Sequence, residues 1–278
     1  MQHHEGYINT RDGIRLFTQE WAPESDVKAA ICLVHGLGEH SGRYTHVAAY
    51  LAENGYALDA YDLRGHGKSS GARGNTPSYD ALMDDIALVL ANTQARYPGK
   101  PVFLYGHSLG GNQVLNFALR RQPKVSGVIS TGPWLRLAFD PPALQVTLGR
   151  VMNSIYPSFT QANGLERAAL SRDDQVVMNY ENDPLVHDRI SARLFMGFYQ
   201  SGYWALDHAS DFSYPLLLMH GCADRLTSAQ ASREFAQKAG ACCTLKIWEG
   251  FYHEIHNEPE QASVMKVMVD WLDQNLSP

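Results

Sequence analysis

Ser108 stands in Gly106-His107-Ser108-Leu109-Gly110, between the apolar run Val102-Phe103-Leu104-Tyr105 and a helix-like stretch from Asn112 to Arg121. That setting makes the serine a candidate nucleophile. A strand that turns at once into a helix strains the backbone at the turn, so the flanking residues must be almost free of side chains. Gly106 and Gly110 meet that demand, and Gly111 lets the helix approach the sheet. The helix N-terminus favours negative charge developing beside the serine. The plain alternative is a glycine-rich turn with an incidental serine. A serine hydroxyl also needs a base to take its proton and a third group to hold that base. The expected acid is Asp224, in Met219-His220-Gly221-Cys222-Ala223-Asp224-Arg225, and the expected base is His253, in Glu249-Gly250-Phe251-Tyr252-His253. Each falls just past the carboxyl end of an apolar run, where parallel sheets gather their functional loops. The chain has 12 histidines, and His208, His220 and His256 compete for the role of base. His253 is favoured because it opens the loop after the final strand run. Asp207 and Asp211 precede the Pro215 run and so lie at the wrong end of the sheet.

This set of residues suits acyl transfer through an acyl-serine, with no metal or cofactor required. The oxyanion would need two main-chain donors, expected from Leu109, the residue after the nucleophile, and Leu37, in His35-Gly36-Leu37-Gly38. The elements that must position these groups are legible as apolar runs of strand length: 30–34, 56–60, 102–105, 125–130, 215–219 and 244–248. Helical patterns at 45–54, 78–97 and 112–121 alternate with them, and Val264, Val267, Met268, Trp271 and Leu272 mark one face of a last helix. Such alternation predicts an α/β fold with a mostly parallel sheet covered on both sides. The segment 5–21 alternates around Asp12-Gly13, which predicts an antiparallel hairpin at the sheet edge. From about Trp134 to Ala209 the rhythm stops. The expected organisation is therefore a core of residues 1–133 and 210–278 with a helical lid, 134–209, inserted between. In that lid Leu144, Leu148, Val151, Met152 and Ile155 share a helix face, expected to pack on the main domain as apolar faces usually do. The other reading is that the face lines an apolar tunnel or touches a lipid surface.

Composition sets outer limits. With 278 residues, 45% hydrophobic and 19% charged, the chain can bury a sizeable core. A formal net charge of −6 argues against nucleic acid and anionic membrane as obligatory partners. No run approaches the roughly 18 consecutive apolar residues of a membrane span, and the first six residues carry neither a basic nor an apolar signal region, so a cytoplasmic location is expected. Cys32, Cys222, Cys242 and Cys243 match no zinc or redox spacing and are expected to be reduced thiols, mostly buried.

The chain resembles the monoacylglycerol lipases and related lysophospholipase-like serine hydrolases of the α/β-hydrolase superfamily. The resemblance rests on His35-Gly36-Leu37-Gly38-Glu39-His40-Ser41-Gly42-Arg43-Tyr44 and Asp62-Leu63-Arg64-Gly65-His66-Gly67-Lys68-Ser69. It continues in the serine motif, Asn182-Asp183-Pro184-Leu185, Ala223-Asp224-Arg225-Leu226 and Tyr252-His253-Glu254-Ile255-His256. It implies the catalytic roles of Ser108, Asp224 and His253 and the oxyanion roles of Leu37 and Leu109. It further implies that Glu39, Arg43, Tyr180 and His256 help form a pocket for a glycerol leaving group, a small lipid ester being the substrate. Glu39 and Arg43 are also four apart, the spacing of a simple helix-surface ion pair. A general carboxylesterase or lysophospholipase with the same three residues remains open. So does a catalytically silent binding protein on the same scaffold.

Overall fold

The computed structural model describes residues 1–276. In chain order the strands are β1 (Gln2–Asn9), β2 (Arg15–Ala22), β3 (Ala29–Val34), β4 (Tyr56–Tyr61), β5 (Val102–His107), β6 (Gly127–Thr131), β7 (Thr160–Ala162), β8 (Arg189–Ser191), β9 (Leu216–Gly221) and β10 (Cys243–Trp248). The α-helices are α1 (Thr45–Glu53), α2 (Tyr79–Arg96), α3 (Leu109–Arg121), α4 (Ala143–Ile155), α5 (Asp174–Asn182), α6 (Ala192–Asp207), α7 (Ala229–Ala239) and α8 (Gln261–Gln274). Eight strands form one sheet in the order β1-β2-β4-β3-β5-β6-β9-β10. The β1–β2 hairpin, turning at Thr10–Ile14, occupies one edge, and β2 pairs antiparallel with β4. From β4 through β10 every pairing is parallel. This is the α/β-hydrolase fold.

The central strands are apolar on both sides because helices cover both faces. In β3, Ala30, Cys32 and Val34 face the cluster built on α2, α3, α6 and α7, while Ala29, Ile31 and Leu33 face the cluster built on α1 and α8. The same alternation separates Val102 and Leu104 from Phe103 and Tyr105 in β5. A period of two thus fixes the register of the strands whose ends carry the site.

Between β6 and β9 the chain departs from the sequence reading in two ways. It contains a short two-stranded sheet, β7–β8, whose three-residue strands are too brief to leave a periodic signal. The α4 face expected to pack inward is turned to solvent instead. Leu144, Leu148 and Ile155 are 79%, 58% and 76% exposed, and Val151 is exposed as well. The reason is that α4 lies on α6 through its opposite side, where a Cβ on Gly149 would touch Met196 and Phe195 and Val146 is buried. By contrast α6 joins the core itself, with Leu194, Phe198, Ala205 and Leu206 in the main cluster. All four cysteines are unpaired, but only Cys32 is fully buried, which corrects the expectation for the others. No helix among the described residues is long and apolar enough to cross a membrane.

Candidate active site

Ser108 is wedged between β5 and α3 with φ 55° and ψ −113°, a region that residues with side chains rarely occupy. The strain is over-determined by its surroundings. The Ser108 N–H donates to the Thr131 carbonyl at 2.9 Å, and its own carbonyl accepts from Asn112 and Trp134, both at 3.0 Å. A Cβ on Gly106 would run into the Gly110 carbonyl, and one on Gly110 would run into the Val34 carbonyl. These contacts show why both positions must be glycine. One on Gly111 would meet the Ser130 hydroxyl oxygen at 2.9 Å, so α3 rests directly on β6.

Parallel strands put their carboxyl ends on one edge of the sheet, and three of those ends converge. His253 Nε2 lies 2.9 Å from Ser108 Oγ, and its Nδ1 lies 2.7 Å from Asp224 Oδ2. An ionised carboxylate only accepts. Nδ1 therefore carries the hydrogen, and Nε2 is left as the acceptor for the serine hydroxyl. Burial works against a charged His253, but the Asp224 carboxylate outweighs it and raises the pKa above the ordinary histidine value. Burial would likewise raise Asp224, yet the His253 charge and the bonds from His220 and His253 hold it well below the usual carboxylate range. Asp224 is densely held. Oδ1 accepts the N–H groups of Leu226 at 2.7 Å and Thr227 at 3.0 Å, and Oδ2 accepts the Thr227 hydroxyl at 2.8 Å. His220, at the end of β9, adds a further bond to Oδ2 at 3.0 Å while its Nδ1 takes the Ser232 hydroxyl at 2.8 Å.

Gly132, just past β6, touches two of these groups and the end of β9. The Gly132 carbonyl lies 3.0 Å from the Thr227 hydroxyl, its N–H donates to Met219 at 2.9 Å, and a Cβ there would sit 3.3–3.5 Å from His253.

Leu109 opens α3, so its N–H is among the first-turn donors that a helix leaves without an internal partner. The 36–38 loop lies against the serine: a Cβ on Gly36 would be 3.3 Å from Ser108 Cβ. Glu39 shapes this loop from inside. Its Oε1 accepts the Gly36 N–H at 2.6 Å and the Tyr44 hydroxyl at 2.8 Å, while Oε2 accepts from Arg43 at 2.8 Å. Arg43 also forks onto Glu254 at 2.6 and 2.7 Å. The helix-surface ion pair is therefore corrected. Glu39 precedes the 3₁₀ turn Ser41–Tyr44, and the side chains of Glu39, Arg43 and Glu254 are only 3%, 10% and 3% exposed. Tyr180 stacks on Arg43, 4.8 Å from guanidinium to ring centre, with its hydroxyl over Gly38. His256 has no exposed surface. It stacks on Tyr44 at 4.8 Å and meets His107 edge-on at 4.7 Å, and burial pushes its pKa down to about 3. On the outer side of the loop a cavity of about 520 Å³ is lined by Tyr180, Asp183, His187, Arg73 and Arg189, among others.

A family model described as serine aminopeptidase, S33, matches residues 25–260. The monoacylglycerol lipase of Mycolicibacterium smegmatis is 31% identical over 266 residues, 95% of this chain and 95% of that protein. The chain belongs to the monoacylglycerol lipase family. The crystal structure of the monoacylglycerol lipase of Paleococcus ferrophilus superposes with a TM-score of 0.86 at 35% identity, covering 94% of this chain and 99% of that one. An abhydrolase domain-containing protein of Dictyostelium discoideum is 35% identical over 96% of this chain, which spans 28% of that protein's length.

Within this family member, the structure brings Ser108, His253 and Asp224 into one hydrogen-bonded line, with Leu109 directly after the serine and Gly36 of the 36–38 loop against it. Glu39, Arg43 and Tyr180 gather around the same loop. Sequence reasoning missed Glu254, the second carboxylate on Arg43, although it directly follows His253. It also missed Thr227, three residues past Asp224, and set His220 aside as a rival base when it in fact bonds the acid.

Proposed function

We propose that this carboxylic ester hydrolase cleaves monoacylglycerols to fatty acid and glycerol through an acyl-Ser108 intermediate. The observation that carries the reading is the unbroken line Ser108–His253–Asp224, with contacts of 2.9 and 2.7 Å. His253 takes the Ser108 proton as Oγ attacks the ester carbonyl, and Asp224 holds the tautomer and stabilises the imidazolium. The tetrahedral oxyanion is received by the N–H groups of Leu37 and Leu109. The C–O bond then breaks, glycerol leaves with the proton from His253, and water repeats the cycle on the acyl-enzyme.

At the polyol end we assign Tyr180 and Arg43 to the glycerol hydroxyls. Glu39 acts one step back, fixing Gly36. His256, wholly buried, supports the Tyr44 ring that bonds Glu39. The carboxylates of Glu39 and Glu254 are spent on Arg43 and are not offered to a substrate amine, which disfavours peptide substrates at this cluster. Residues 134–209 act as the cap, and the exposed α4 face is the surface by which the enzyme meets lipid aggregates. Four unpaired cysteines suit a reducing compartment such as the cytoplasm.

The test is kcat/KM on 1-monoacylglycerols from C8 to C18 beside matched methyl esters and diacylglycerols, with Ser108→Ala as the blank. Preference for the monoglyceride, lost in the mutant, is expected. Equal rates on methyl esters would reduce the enzyme to a general esterase, and undiminished Ser108→Ala activity would remove the mechanism.

A further inference from the structure

Two sequence motifs have no part in the chemistry so far: His40, within the first, and the Asn182-Asp183-Pro184-Leu185 element of the cap. The structure joins them. Asp183 follows α5 and closes its own turn, with Oδ1 accepting the Leu185 N–H at 2.8 Å. That turn aims Oδ2 at His40, whose Nε2 lies 2.8 Å away. His40 Nδ1 accepts the Gly42 N–H at 3.2 Å, so the ring hydrogen sits on Nε2 and is donated to Asp183. Four residues further on, the His187 N–H donates to the Gly38 carbonyl at 2.9 Å. A Cβ on Gly38 would meet the His187 carbonyl at 2.5 Å and the Tyr180 hydroxyl oxygen at 3.1 Å. Loop 36–40 is thus gripped from both sides: by Glu39 within the core, and by cap residues 180–188 without.

We infer that Asp183 is a positioning residue for the oxyanion hole, holding loop 36–40 through His40 so that the Leu37 N–H stays aligned with that of Leu109. An oxyanion donor must sit about 2.7–3.1 Å from the developing charge, and a loop with glycine at 36 and 38 has little stiffness of its own. The cap supplies the missing constraint. The inference rests on the oxyanion roles proposed above for Leu37 and Leu109.

The experiment compares wild type, Asp183→Ala, Asp183→Asn, His40→Ala and the Asp183→Ala/His40→Ala double variant. Asp174→Asn, which removes an exposed charge from the same cap helix, is the control. Each is assayed for kcat and KM on a short-chain monoacylglycerol, and for inhibition by an alkyl trifluoromethyl ketone, which forms a hemiketal oxyanion on the serine. For Asp183→Ala, kcat is expected to fall roughly 10- to 100-fold, part of the ~10²–10³ lost with a whole donor. KM should stay nearly constant and the ketone's inhibition constant should rise by the same factor as kcat falls. Asp183→Asn recovers part of the loss through its amide oxygen, and the double variant is no worse than either single one, because the two residues act as one unit. An unchanged kcat with a lowered Tm, or a loss confined to KM with the ketone unaffected, would overturn the inference. A wild-type enzyme that neither turns over esters nor binds the ketone would instead overturn the acyl-serine reading itself.

Discussion

Arg43→Met removes one cation from between two buried carboxylates and leaves the side-chain volume nearly unchanged. Glu39 keeps the Gly36 N–H and the Tyr44 hydroxyl, and Glu254 keeps only the Asn257 amide at 2.7 Å among its side-chain donors. Breaking a buried pair by deleting one partner costs about 3–5 kcal/mol. In a chain of this size each kcal/mol shifts Tm by about 2–4 °C, so a fall of roughly 6–20 °C at pH 7 is expected. The pH dependence is the sharper readout. In wild type, burial raises Glu254, but Arg43 overrides it and depresses the group far below the ordinary carboxylate range. Its contribution is therefore complete above about pH 4.3, the ordinary glutamate value, and is lost as the pH falls further. Without Arg43, two carboxylates share one buried space and at least one titrates above its unfolded value. The folded variant then binds protons more tightly than the unfolded chain, and stability rises as the pH drops from 7 toward 5. Thermal unfolding by circular dichroism from pH 5 to pH 8 reads both effects. If Arg43→Met unfolds within a degree or two of wild type, or keeps the wild-type slope with pH, the cluster is not the desolvated network described above.

Two further outcomes follow from the same geometry. Because Asp224 raises the pKa of His253 and the base must be neutral, kcat/KM should fall as the pH drops through a value above the ordinary ~6.5 of histidine. Asp224→Asn should move that limb to lower pH and lower the rate by about 10⁴; a limb that stays in place would show that Asp224 does not govern His253. Leu148→Ser/Ile155→Ser should cut co-sedimentation with phosphatidylcholine vesicles by roughly tenfold or more, given ~1.5–3 kcal/mol for each large apolar side chain buried. Turnover of a soluble ester and Tm should be unchanged, as for most surface substitutions; undiminished vesicle binding would refute the role given to α4.

The strands were readable because their burial is two-sided and local: 30–34 and 102–105 are apolar without interruption, and a parallel sheet needs nothing more. That Ser108, Asp224 and His253 would come together was readable because each lies in the loop a few residues past the carboxyl end of a strand run. Glu254, Thr227 and His220 were not, since their meaning depends on what other loops bring to them. Glu254 is defined by Arg43, 211 residues away, and no spacing encodes that. The orientation of α4 failed for a related reason. An apolar stripe shows that a helix has a greasy side, but Gly149 and Val146, a quieter pair, decided which side met α6.

Thr131 ends β6, between the strands that lead to Ser108 and Asp224, and the three converging loops each touch it or the following Gly132: Ser108 through the Thr131 carbonyl, the Asp224 turn through Thr227, and His253 against Gly132. Separate loops referred to one datum do not accumulate errors among themselves. Chain inserted after Trp134 leaves this datum in place and reaches the site only through the contacts that residues 169–187 make with His253, Glu254, His40 and Gly38. A single added residue at 131–132 has no such freedom, for it would shift the contacts of Ser108, Thr227 and His253 at once. A replacement for residues 134–209 can accordingly leave this pair untouched, provided it keeps the holds on loop 36–40 and on His253.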